Sequence, residues 1–139
     1  MSKPMTTLAA RTLSVSIPVD AEAAYRLLAV PGSFPRWASG LADSLREVEG
    51  RWWAQTPEGP AEVRFSNLNA HGVLDHWVHF GNGLVVYVPL RVIANADGCE
   101  LMLTLFRQPG MSDDKYEADA AWVMRDLSTA KAWLEAEAG

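Results

Sequence analysis

Residues 112–138 read SDDKYEADAAWVMRDLSTAKAWLEAEA. Tyr116, Ala120, Val123, Leu127, Ala130 and Leu134 recur there at spacings of three and four, which puts them on one face of a helix. Ser112 is a good N-cap, and Asp113 and Asp114 stand in the first turn, where the helix dipole favours acids. A helix from Ser112 to Glu137 spans about 39 Å, enough to cross a whole sheet. Glu135 and Glu137 oppose the dipole at the far end and predict fraying there.

Upstream, from Asp43 on, the period changes to two. DSLREVE, RWWAQT, PAEVRFSNLN, GVLDHWVHF, LVVYVPLRVIA and CELMLTLFRQ are short alternating or apolar runs. Glu49-Gly50, PEG at 57–59, the stretch around Gly72, GNG at 81–83 and NADG at 95–98 separate them, and Pro109-Gly110 ends the series. Strands of this length with turn chemistry between them predict an antiparallel meander. Nearer the start, RTLSVSIPV (11–19) is a further β-branched strand. Asp20 caps a helix over AEAAYRLLAV, with Glu22 in its first turn, and Pro31-Gly32 ends it. SFPRWASGL predicts a second short helix, with Ser33 as cap and Pro35 near its first turn. The order is strand, two short helices, six strands, long helix: an α+β chain with about seven strands.

Composition bounds the function. At 139 residues the chain reads as one domain, residues 1–139. Its single cysteine, Cys99, cannot close an intrachain disulfide, which fits a reducing compartment. The opening MSKPMTTLAARTLSV has neither a signal-peptide core nor a membrane span, so a cytoplasmic protein without membrane insertion is expected. The formal charge is −5 with no basic run, which argues against nucleic acid and against an anionic membrane surface. Six tryptophans require a large apolar surface to cover them, whether core, pocket or partner.

The element order resembles the helix-grip fold of the SRPBCC superfamily, also called START-like. SVSIPVDAEAAYRLLAVPGSFPRWASGL (14–41) is similar to the opening strand and helix pair of polyketide cyclase/dehydrase-like members, with Trp37 in the usual place. LTLFRQPGMSDDKYEADAAWVMRDLSTAKAWLE (103–135) resembles the end of bacterial members. The resemblance implies a curved antiparallel sheet wrapped around the long helix, with a cavity between them. Members bind lipids, sterols or polyketides, catalyse cyclisations, or serve as binding modules of chaperone and quinone pathways.

All three histidines fall in NAHGVLDHWVHFG (69–81), with Asp75 among them. A strand separates them. His71, Asp75, Trp77 and His79 take one face, while Leu74, His76, Val78 and Phe80 take the other. His71 and His79 are then about 26 Å apart, and Asp75 and His76 face opposite ways. No metal site is expected, and Cys99, beside a turn elsewhere, adds no ligand with recognisable spacing. The Leu74–Val78–Phe80 face is the more apolar and carries His76 inward. There His76 is either a core histidine satisfied by a hydrogen bond or a polar anchor in a ligand cavity.

The other residues weighed for lining that cavity are Trp53, Phe65, Tyr87, Phe106, Tyr116 and Met124. Arg91, on the face of Tyr87, reads as a solvated or paired strand charge. Cofactor motifs are absent, and GNG and NADG are hairpin turns rather than phosphate loops. The reading favours a carrier of a small, mainly apolar ligand of lipid, polyketide or aromatic type. The alternatives are a metal-free cyclase- or dehydratase-like enzyme, and an interaction module similar to the heat-shock ATPase activators. Trp52 and Trp53 are consecutive and must point to opposite faces. One of them, with Trp77 or a valine, then leaves an apolar patch on the outside of the sheet and predicts a homodimer.

Overall fold

Asp20 starts the first helix as its sequence predicts: its carboxylate accepts the Ala23 N–H at 3.1 Å. The structure, a computed structural model, describes residues 5–39 and 44–138. Strand β1 (Ala10–Ile17) leads into α1 (Ala21–Leu28), which buries Ala24 and Leu28. A 3-10 helix follows at Pro31–Arg36. It begins two residues before the expected cap, because Pro31 itself has the φ a first turn needs. Ser33 lies inside it, and its Oγ donates to the Val30 carbonyl at 2.7 Å. Gly40 and Leu41, expected in this helix, and Asp43, expected at the start of a strand, lie outside the described residues.

Seven further strands follow: β2 (Arg46–Val48), β3 (Arg51–Thr56), β4 (Gly59–Phe65), β5 (His76–His79), β6 (Val85–Val88), β7 (Leu90–Asn95) and β8 (Gly98–Phe106). All paired neighbours are antiparallel. They form two ladders, β1-β8-β7 and β2-β3-β4-β5-β6. The strand added to the expected seven comes from LVVYVPLRVIA, which divides at Pro89 into β6 and β7. Proline brings no N–H to a ladder, so the pairing stops there.

GVLDHWVHF divides at the same level. Residues 76–79 pair with β4 and β6. Residues 72–74 pair with β7 instead: Leu74 N–H donates to the Leu90 carbonyl at 2.7 Å, and Val92 N–H to that of Gly72 at 2.9 Å. The register carries through the break. His76 stands opposite Val88 and Val73 opposite Arg91, which sets Asp75 against Pro89. The two ladders are one sheet bent at Asp75 and Pro89. Gly72 holds the bend closed: its φ is +70°, and a Cβ there would meet the Val92 carbonyl oxygen at 2.1 Å.

The long helix α2 (Asp113–Ala138) has the expected cap, with Lys115 N–H donating to Ser112 Oγ at 3.1 Å. It continues to Ala138 despite Glu135 and Glu137. Its buried stripe is Ala120, Leu127, Ala130 and Leu134, and the last three pack in one core with Ile17, Leu101 and Leu103. Full burial of a leucine such as Leu127 contributes roughly 2 kcal/mol. α2 packs chiefly on β1, β8 and α1, over the smaller ladder. The 3-10 end is tied to it: Ser39 N–H and Oγ donate to Asp126 Oδ1 at 3.2 and 2.7 Å. Among the described residues no helix is long and apolar enough to cross a membrane.

Candidate functional site

Strand register assigns every side chain of the larger ladder to a face. Trp52 stands opposite Val63, Val63 opposite Val78, and Phe65 opposite His76. Val63, Val78 and His76 are buried, so this is the inner face. Trp53 opposite Glu62, Arg64 opposite Trp77 and Trp77 opposite Tyr87 form the outer face.

On the inner face His76 is enclosed by aromatic rings. Its imidazole centre lies 5.2 Å from the Phe34 ring, edge on, and 5.9 Å from that of Phe65. Phe34 also meets Trp37 at 5.0 Å and Phe65 at 5.6 Å, and Trp52 stands edge-on to Phe65 at 6.4 Å. The 3-10 helix and its C-cap thus supply one ring each, Phe34 and Trp37, and the sheet supplies two. Burial in this cage pushes the imidazole down to about 4, so it is neutral at pH 7. The Leu74 carbonyl and the Asp75 charge pull weakly the other way. Nδ1 faces the Leu74 carbonyl at 3.5 Å. A carbonyl only accepts, so Nδ1 carries the proton and Nε2 keeps its lone pair.

Phe34, Trp52, Phe65, Val86 and Val88 on one side, and Val123 and Met124 on α2, are all inward or core-packed yet only half-buried. Phe34 and Phe65 also bound a void of about 20 Å³ with Tyr25, Leu28, Leu74 and Leu90. A wide surface groove of about 960 Å³, lined by Tyr25, Arg26, Leu68, His71 and Ile93 among others, shares no residue with the cage. Its side chains are solvated, so the cage, where polar groups are held away from water, is the better candidate.

Asp75 does not face the cage. Its carboxylate is buried on the outer side of the bend and accepts from Tyr87 Oη at 2.6 Å, Leu90 N–H at 2.9 Å and Arg91 Nη2 at 3.0 Å. Burial raises its pKa, but the hydrogen bonds from Arg91, Tyr87 and Leu90 and the Arg91 charge outweigh it and hold the carboxyl below the ordinary range. The Tyr87 hydroxyl is raised chiefly by the same hydrogen bond. Arg91 is therefore a paired charge.

Of the residues weighed from sequence, His76 and Phe65 meet in the cage, and Met124 packs against the adjoining core. Four others, Tyr87, Trp53, Phe106 and Tyr116, stand away from the cage. Tyr87 stacks between Trp77 (5.3 Å) and Phe106 (6.2 Å) on the outer face. Trp53 is on that face too, while its neighbour Trp52 takes the inward place. Each is turned out by strand parity: Tyr87 is opposite Trp77, Trp53 opposite Glu62, and Phe106 is one residue past the inward Leu105. Tyr116, at the start of α2, donates its hydroxyl to the Leu105 carbonyl at 3.2 Å under the guanidinium groups of Arg11 and Arg107. Sequence reasoning missed Phe34 as a cage ring. Its one signal was its spacing of three from Trp37 in a short helical turn. His71 is exposed and His79 lies on the outer face, and among the described residues no three His, Cys, Asp or Glu side chains are placed to share a metal ion.

No protein-family model and no curated protein matches the chain. Solved structures do. The Aha1 dimer from Colwellia psychrerythraea superposes with a TM-score of 0.69 at 12% identity, over 95% of this chain and 100% of that one. Ara h 8.0201 gives 0.61 at 12% identity, over 93% and 99%. DynU16, a protein in the dynemicin biosynthetic locus, gives 0.64 at 14% identity, over 91% of this chain and 47% of that one. At such identities the likeness is one of fold. The bent antiparallel sheet, the long helix laid across it and the short helices after β1 together give this chain the helix-grip fold of the SRPBCC, or START-like, proteins.

Proposed function

We propose that the chain binds one small, mainly apolar molecule of lipid, polyketide or aromatic type between the larger ladder and α2, oriented by His76. The observation that carries this reading is the His76 cage: a buried, neutral imidazole walled by Phe34 and Phe65, with Trp37 against the Phe34 ring. Ligand pockets are mostly apolar with a few placed polar groups, and this arrangement has that composition. A sugar or nucleotide would leave many hydrogen bonds unmade against such walls, each costing about 1–3 kcal/mol. A cyclase- or dehydratase-like activity is the weaker reading, because Asp75 and Tyr87 lie on the opposite face from His76 and offer it no acid/base partner. DynU16 comes from a biosynthetic locus, which is consistent with either a binding or a processing role for the fold.

A thermal-shift screen of neutral apolar compounds against the wild type and His76→Phe tests the proposal. Stabilisation of the wild type, weaker in His76→Phe, supports it. If no compound raises the melting temperature of the wild type, the interaction-module reading takes its place.

A further inference from the structure

The outer face of the β2–β3 hairpin brings together two kinds of group that the rest of the molecule leaves without a partner. Its register sets Arg46 opposite Trp53 and Val48 opposite Arg51, so these four side chains share one face. With Glu49 and Gln55 they line a groove of about 790 Å³. The first unpartnered group is charge. The chain is acidic overall at −5, yet the outer strands of this ladder carry Arg46, Arg51 and Arg64 against Glu62 alone, while Glu47 turns to the inner face with Trp52. Arg64 holds Glu62 Oε1 at 3.1 Å, and Arg51 reaches Oε2 only at 3.8 Å. Arg46 makes no ion pair among the described residues, and Glu49 at the rim pairs with neither Arg46 nor Arg51. The second is a ring. Trp52 and Trp77 each have an aromatic neighbour, and Trp122 carries the Arg125 guanidinium at 5.0 Å. Half-buried Trp53 has neither among the described residues.

We infer that this groove is a second binding site, for a planar aromatic molecule bearing an oxyanion, a carboxylate or a phosphate. The ring lies against Trp53 and the oxyanion between Arg46 and Arg51. Arg46 and Arg51 are diagonal neighbours across the strand pair, about 7–8 Å apart at Cβ, a spacing their long side chains close onto one anion. A guanidinium fork matches carboxylate and phosphate oxygens alike. The two cations repel one another, and a bound anion relieves that repulsion, whereas a neutral aromatic leaves it in place. A bare inorganic anion leaves the Trp53 ring uncovered. Both arginines are exposed, so the affinity falls as salt rises. The site is at the β2 margin of the sheet, three strands from Trp77 and on the opposite face from His76, and it stands independently of the cage.

The test follows the ¹H–¹⁵N indole resonance of Trp53, identified by its loss in Trp53→Phe, while the full chain is titrated with four probes: 2-naphthoate, 2-naphthyl phosphate, 2-naphthol and inorganic phosphate. Both naphthyl anions should shift it saturably, and about fivefold or more tighter than 2-naphthol or inorganic phosphate. The tighter of the two names the oxyanion. Arg46→Gln should weaken both by about fivefold or more at an unchanged melting temperature, since Arg46 is exposed and holds no partner in the fold. His76→Phe should leave both affinities as they are, which separates this site from the cage. A Trp53 signal that neither anion moves overturns the inference. So does 2-naphthol or inorganic phosphate acting on it as tightly as the naphthyl anions, or equal affinity in Arg46→Gln.

Discussion

The Asp75 carboxylate takes the Leu90 N–H at 2.9 Å, in the place an unbroken ladder would give to the Leu74 carbonyl. The Leu74 carbonyl is thereby left to face His76 Nδ1. One carboxylate on the outer side of the bend thus sets the tautomer of the imidazole on the inner side. It is also why two strands that read as continuous each break once, at Asp75 and at Pro89.

Asp75→Ala removes the acceptor of Tyr87, Leu90 and Arg91 at once. Leu90 N–H is then buried unpaired, while Arg91, half-exposed, recovers water. The expected loss is about 2–4 kcal/mol in urea unfolding. Tyr87→Phe alone should cost about 1 kcal/mol, and little further in the Asp75→Ala background. Additive losses would show that the two residues do not act through one another.

Much of this fold is legible in the sequence because its signals are local. Ser112 and Asp20 cap their helices, and the stripe from Ala120 to Leu134 is what α2 buries. His76 turns inward by the parity that Leu74 and Val78 impose. The outward turn of Tyr87 was harder to read, since LVVYV is apolar on both faces. The hairpin settles it: Phe80 N–H closes on the Leu84 carbonyl at 2.9 Å, and counting from that turn sets Tyr87 opposite Trp77. The cage was beyond sequence reading because it joins the 3-10 helix to β4 and β5, and nothing local states that Phe34 meets Phe65 and His76.

Acid should weaken the fold in a defined window. His76 titrates near 6.5 unfolded but about 4 folded, so the unfolded state binds more protons between these values. Stability is then full above pH 6.5 and declines by up to about 3 kcal/mol as pH falls to 4. The Asp75 contribution is lost only at lower pH, as its depressed carboxyl protonates. Urea unfolding of the wild type and His76→Phe from pH 7 to 4 checks this, with the variant expected to show the flatter profile. Parallel profiles would mean that His76 is not held neutral.

We propose that the outer face of the sheet associates with a second copy. Val48, Trp77, Val85 and Ile93 are exposed there, with Trp77 held rigid by its stack on Tyr87. Multi-angle light scattering should give a dimer mass that Trp77→Lys converts to monomer. A monomer mass for the wild type at high micromolar concentration would contradict it.

Native mass spectrometry of the purified protein, before and after incubation with 2-naphthol, tests most directly whether the cage receives a ligand. The account predicts a one-to-one adduct that disappears on denaturation and is depleted in His76→Phe. The bare chain mass under both conditions, with the protein folded, would contradict it.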